Sequence, residues 1–114
     1  MKTDEQVVLW LGIEDDGRVW ETVWDLRTDN SESSGQELRA RARAVLVEQS
    51  RRGAVEFFWG SEQNEAGDSI PAHEIGRLLG DDRWWEPAAA DVLTPRFRTT
   101  ALGEREYRRL VSES

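Results

Sequence analysis

The clearest periodicity in the chain lies in its middle. Leu38, Ala42, Val45, Leu46 and Gln49 recur at three- and four-residue intervals and so share one stripe of a helix. Ser34-Gly35-Gln36-Glu37 ahead of them has the form of a capping box, and Gly53 behind them suits the left-handed turn that ends helices. Ala54-Val55-Glu56-Phe57-Phe58-Trp59 then reads as a strand closed by Gly60, and 61–69 as a polar loop. Pro71 opens a short helix with Ile75, Leu78 and Leu79 inward and Gly80 after it. Trp84-Trp85-Glu86-Pro87 leave that helix, and an Ala/Asp connector leads to a second strand, Arg96-Phe97-Arg98-Thr99. In that strand Phe97 faces one side and the arginines the other. Thr100 caps a last helix carrying Leu102, Tyr107, Leu110 and Val111.

The N-terminal third is less decided. Thr3-Asp4-Glu5-Gln6 is a capping box, and Val7, Trp10 and Leu11 follow at helical spacing, with Gly12 or Gly17 to end the element. Yet Val7-Val8-Leu9-Trp10-Leu11 also suits a buried strand. In Val19–Leu26 a period of 3.6 pairs Val19/Trp20 with Val23/Trp24, whereas a period of 2 puts Trp20, Trp24 and Leu26 on one face. Helices are expected for both segments, with strands as the alternative over residues 3–26. Residues 27–35 form a loop.

Three helices, a strand, an inserted short helix, a second strand and a closing helix make an α+β chain. Two strands that pair after three helices are the plan of a winged helix-turn-helix, here with a two-stranded wing. The run Ala44-Val45-Leu46-Val47-Glu48-Gln49-Ser50-Arg51-Arg52-Gly53-Ala54-Val55-Glu56-Phe57-Phe58 resembles the helix, glycine and short hydrophobic strand of small uncharacterised winged-helix-like proteins of GC-rich bacteria. Ile70-Pro71-Ala72-His73-Glu74, Leu78-Leu79, Asp82-Arg83-Trp84-Trp85-Glu86-Pro87 and Phe97-Arg98-Thr99-Thr100-Ala101-Leu102-Gly103 follow in the same order. The resemblance covers the second half of the chain. It implies a fold and hands over no functional residues.

Length and composition narrow the rest. At 114 residues, 1–114 is expected to be a single domain. No apolar run approaches the roughly 20 residues that span a bilayer, and the first residues lack a signal-peptide layout. With no cysteine, disulfide and thiolate chemistry are excluded, and a cytoplasmic setting is expected. His73 is the one histidine, so a triad or a histidine-based zinc site has too few members; a surface imidazole in a first helical turn is the simpler account. Asp15-Asp16 and Asp81-Asp82 each adjoin a glycine and read as solvated turns. No glycine-rich phosphate loop is present. No cofactor, no metal and no catalytic residue is therefore expected.

The net charge of −8 is unevenly laid out: −6 over residues 1–34, +3 over 35–53, −7 over 54–95 and +2 over 96–114. Six tryptophans are the compositional oddity. Trp10, Trp20 and Trp24 lie on apolar stripes and are assigned to the core. Trp84 and Trp85 stand side by side at an element exit, where one is free to serve as an exposed anchor.

Two readings of function follow. The first is a non-catalytic module that binds another protein through an acidic surface, in an immunity, antitoxin-like or adaptor role, with Trp84, Trp85, Asp81 and Asp82 as candidate contacts. The alternative is a small winged-helix DNA-binding regulator, dimeric because one helix reads too few base pairs. Its third helix would reach DNA with Gln36, Arg39 and Arg43, helped by Arg96 and Arg98 on the strand. A net-negative chain argues for the first.

Overall fold

The computed structural model describes residues 3–29, 34–62 and 67–113, and the side chain of Asp29 is outside that description. Among them are five α-helices and a four-stranded antiparallel sheet, so the fold is α+β. Helix α1 (Asp4–Glu14) begins at the expected capping box: Thr3 Oγ1 accepts from the Gln6 N–H at 3.1 Å, and Gln6 Oε1 accepts from the Thr3 N–H at 2.8 Å. Gly12 does not end it. A Cβ there would collide with the Thr99 backbone, and Thr99 Oγ1 donates to the Leu9 carbonyl at 2.8 Å. The glycine lets the helix lie close against the sheet. Because α1 is also covered by other helices, Gln6, Val7, Val8 and Leu9 are all buried, which is why the run imitates a strand.

Strand β1 (Gly17–Arg18) follows, then helices α2 (Val19–Asp29) and α3 (Gly35–Arg51). Ser34 Oγ accepts from the Glu37 N–H at 3.1 Å at the start of α3, and Gly53 ends it with φ of +76°. Strand β2 (Val55–Gly60), the short β3 (Ser69–Ile70), α4 (Ala72–Leu78) and a 3-10 turn (Asp82–Trp85) come next. Strand β4 (Thr94–Thr99) and α5 (Ala101–Glu113) complete the order.

The strands run β1-β4-β2-β3 across the sheet. The expected pairing of the two long strands is present, with Phe57 opposite Phe97 and their rings 5.5 Å apart. The two-stranded wing is corrected to four strands: β1 pairs Gly17 with Phe97, and β3 pairs Ile70 with Phe57. Each added strand is two residues long, too short for alternation to register. Of the expected loop 61–69, residues 63–66 lie outside the described residues. Two adjoining apolar clusters form the core. The larger joins Val8, Leu9, Leu46, Phe57, Ile75, Leu79 and Phe97; the smaller joins Val7, Val23, Leu26, Leu38 and Ala42 between the first three helices.

Candidate binding cleft

Three arginines of α3, Arg39, Arg41 and Arg43, are held by other parts of the chain. Arg39 Nη2 lies 2.7 Å from Asp82 Oδ1, and its guanidinium sits over the Trp85 ring, 5.3 Å from the centroid. Arg41 Nε donates to Asp4 on α1 at 3.1 Å. Arg43 Nη2 donates to the Gly76 carbonyl of α4 at 2.7 Å. The insertion between β2 and β4 thus lies along the Arg39/Arg43 side of the helix. The exposed residues of α3 include Glu37, Ala40, Ala44 and Glu48 along one ridge, with Arg51 at its end bridged to Glu48, and Gln36 and Arg43 beside it.

These contacts bring the two sets of sequence candidates into one place. Gln36 and Arg39 from the DNA reading, and Asp82 and Trp85 from the protein reading, line the same cleft with Val23, Gly35 and Glu86. Its volume is about 450 Å³. The Trp85 indole is fixed from behind, its Nε1 donating to the Leu79 carbonyl at 2.8 Å. The Asp82 side chain is 90% exposed, so its pairing with Arg39 is the surface kind that contributes little. A cleft with an aromatic wall, an Arg39–Asp82 ion pair and the exposed carboxylate of Glu86 is suited to receive a cationic or aliphatic side chain.

Trp84 and Asp81 lie beside the cleft. The Trp84 ring meets Trp59 edge-on at 5.4 Å under the Arg83 guanidinium. Arg83 is drawn there by Asp81, at 2.8 Å, and its side chain, with its backbone N–H, holds the Asp81 carboxyl below its ordinary range. Trp84 and Trp85 are both half-buried.

Arg96 and Arg98 stand apart from the cleft, alternating with Phe97 along β4. Arg96 is 5% exposed and therefore does not share an open face with Arg98. Its Nη2 reaches Glu62 Oε1 at 3.2 Å, and Arg18 donates to the same oxygen. Arg18 is the main cause of a lowered Glu62 pKa. Arg98 is exposed, 3.4 Å from Glu56 and over the Phe58 ring.

The assignment of Trp10, Trp20 and Trp24 to the core needs correcting: Trp10 and Trp20 are half-buried and stand outside both apolar clusters, and Trp24 is exposed. Trp24 is 55% exposed, because the stripe it shares with Trp20 is the flank of α2 turned away from the core. The signal available in the sequence was the polar company of Trp24, with Asp25, Arg27 and Thr28 following it. Trp10 is half-buried and stacked on Tyr107. His73 is exposed on α4, and no group of three or more histidine, aspartate or glutamate side chains gathers as metal ligands among the described residues. No described helix is long and apolar enough to cross a membrane.

No protein-family model matches the chain, and no curated protein or solved structure does either.

Proposed function

We propose that the chain is a winged-helix-like, non-catalytic domain that binds another protein through its acidic surface, in an immunity, antitoxin-like or adaptor role in the cytoplasm. Three helices followed by the antiparallel pair β2 and β4 support the winged-helix plan, with β3, α4 and the 3-10 turn inserted in the wing connection.

One observation carries the choice of partner. The helix that would read DNA has Arg39 and Arg41 paired with Asp82 and Asp4 and the exposed Arg43 bonded to the Gly76 carbonyl, while the ridge beside them carries Glu37 and Glu48, the latter bridged to Arg51. Phosphates approaching that ridge would meet carboxylates, and releasing Arg39 would leave Asp82 beside Glu86 facing the DNA. The same carboxylates suit a basic protein.

The test is a salt titration against random-sequence duplex DNA, read by fluorescence anisotropy. No salt-sensitive binding is expected. Duplex binding that falls steeply with salt and disappears in Arg39→Ala/Arg43→Ala would replace the proposal with the regulator reading. Once a partner is in hand, the charge reversals Asp82→Arg and Glu86→Arg should weaken the complex, and Arg43→Ala should not.

A further inference from the structure

We infer that the face formed by Trp20, Trp24 and the connector 88–93 is a docking surface for a cationic, apolar segment of a protein partner. This rests on the protein-binding reading above and adds a surface outside the cleft.

Trp24 is 55% exposed and lies edge-on to Trp20, with ring centroids 4.6 Å apart. Trp20 in turn lines a shallow hollow with Ala88, Ala89 and Val92. Val92 is 44% exposed, and Leu93, next in the chain, is 51% exposed. Three of the five exposed large apolar side chains among the described residues are thus on α2 and this connector, the other two, Leu102 and Val111, being on α5. The connector is a second anomaly. Surface loops are ordinarily built from Ser, Asn, Asp and Gly, whereas Pro87-Ala88-Ala89-Ala90 and Val92-Leu93 present apolar groups to water. An apolar patch with polar groups around it is the form of an interaction site, and tryptophan is the side chain most often found at its energetic centre.

Charge chooses the occupant. Helix α2 and the connector carry Glu21, Asp25 and Asp91 against Arg27 among their described side chains. The two guanidiniums at the hollow, Arg18 and Arg96, are both bonded to Glu62, and Arg18 also to Glu21, so Glu21 and Glu62 together offset them and Asp25 and Asp91 leave the rim acidic against Arg27. A second copy of this chain would bring the same carboxylates to the contact, and a nucleic acid would bring phosphates. A segment with Lys or Arg interleaved with Leu or Phe complements both the rings and their rim, and a cation over the open Trp24 face adds a cation–π contact.

The experiment uses the whole chain, labelled with ¹⁵N, and follows the indole N–H signals of its six tryptophans. Three probes are added in turn: an amphipathic Lys/Leu peptide, its Glu/Leu counterpart and random duplex DNA. The Lys/Leu peptide is expected to move the Trp20 and Trp24 signals first, and the Glu/Leu peptide to move neither. Trp24→Ala and Val92→Asp, both at exposed positions, should each weaken the Lys/Leu peptide by about tenfold or more. The wild-type signal pattern needs no variant to fold.

Binding that shifts other indoles and survives both substitutions would overturn this surface while leaving the acidic protein-binding reading in place. Duplex binding without peptide binding would overturn both. No Lys/Leu binding, equal Glu/Leu binding, or the same two signals moving with protein concentration alone would each overturn the occupant named here.

Discussion

Two pairs of tryptophans behave in opposite ways. Trp84 and Trp85 are neighbours in sequence, yet the tight 3-10 turn sends their rings to different supports, Trp84 to Trp59 and Trp85 to the Leu79 carbonyl. Each is roofed by an arginine, Arg83 over one and Arg39 over the other. Trp20 and Trp24 are one helical turn apart and share a stripe, but that stripe leans outward and the two rings support each other. Adjacency therefore did not force a ring into solvent, and periodicity did not carry one into the core. Spacing tells which residues share a face. Only the surrounding elements decide where the face points.

The comparison breaks most readily at Trp85. Its ring packs against both apolar clusters, so Trp85→Ala should cost about 3 kcal/mol in a urea denaturation experiment. A loss below about 1 kcal/mol would mean that this pair is as loosely held as the other. A finer comparison lies within the pair. Trp85 Nε1 donates to Leu79, whereas Trp84 Nε1 is buried with no partner among the described residues. Trp85→Phe and Trp84→Phe remove similar volume, so the first should cost about 1 kcal/mol more than the second, the value of that hydrogen bond.

The same contrast explains what the sequence disclosed. Local devices were legible because they are complete within a few residues: the Thr3/Gln6 box, the Ser34 cap, Gly53, and the alternating stretches that became β2 and β4. Strand β1 was not, since two residues next to a glycine carry no pattern; it exists because Gly17 can lie against Phe97. Helix α1 was ambiguous because elements on several sides bury it, which erases the polar stripe that periodicity relies on. The cleft was legible only in pieces. Gln36, Arg39, Asp82 and Trp85 were each singled out, but under rival readings. Nothing local announces that Arg39 will meet a carboxylate and a ring from an insertion so much later in the chain. Burial of Arg96 was hidden for the same reason, its partner Glu62 lying just beyond the end of β2.

Acid should loosen the roofed pair through Asp81. Its pKa in the folded chain is depressed, with the Arg83 side chain as the first cause, so the folded state binds protons less readily than the unfolded one. The contribution is therefore present at neutral pH and lost as pH falls through the folded value, below about pH 4. The carboxylate is solvent-exposed, so the effect is small. Asp81→Asn should reduce the acid-induced drop in denaturation midpoint between pH 7 and pH 3. An unchanged slope would assign that drop to other depressed carboxylates, among them Glu62 and Glu106.

The smallest effect is expected where the ring is most open. Trp24 already presents more than half of its surface to water, and its contact within α2 is with Trp20. Trp24→Ala should therefore change stability by no more than about 0.5 kcal/mol, the ordinary range for a surface position. Equal denaturation midpoints for the wild type and the variant would sharpen the comparison. They would leave an exposed indole with no structural reason to be there, which is the condition under which a binding role explains its presence. A cost above about 2 kcal/mol would instead mean that Trp24 packs like Trp85, and the two pairs would then differ in spacing alone.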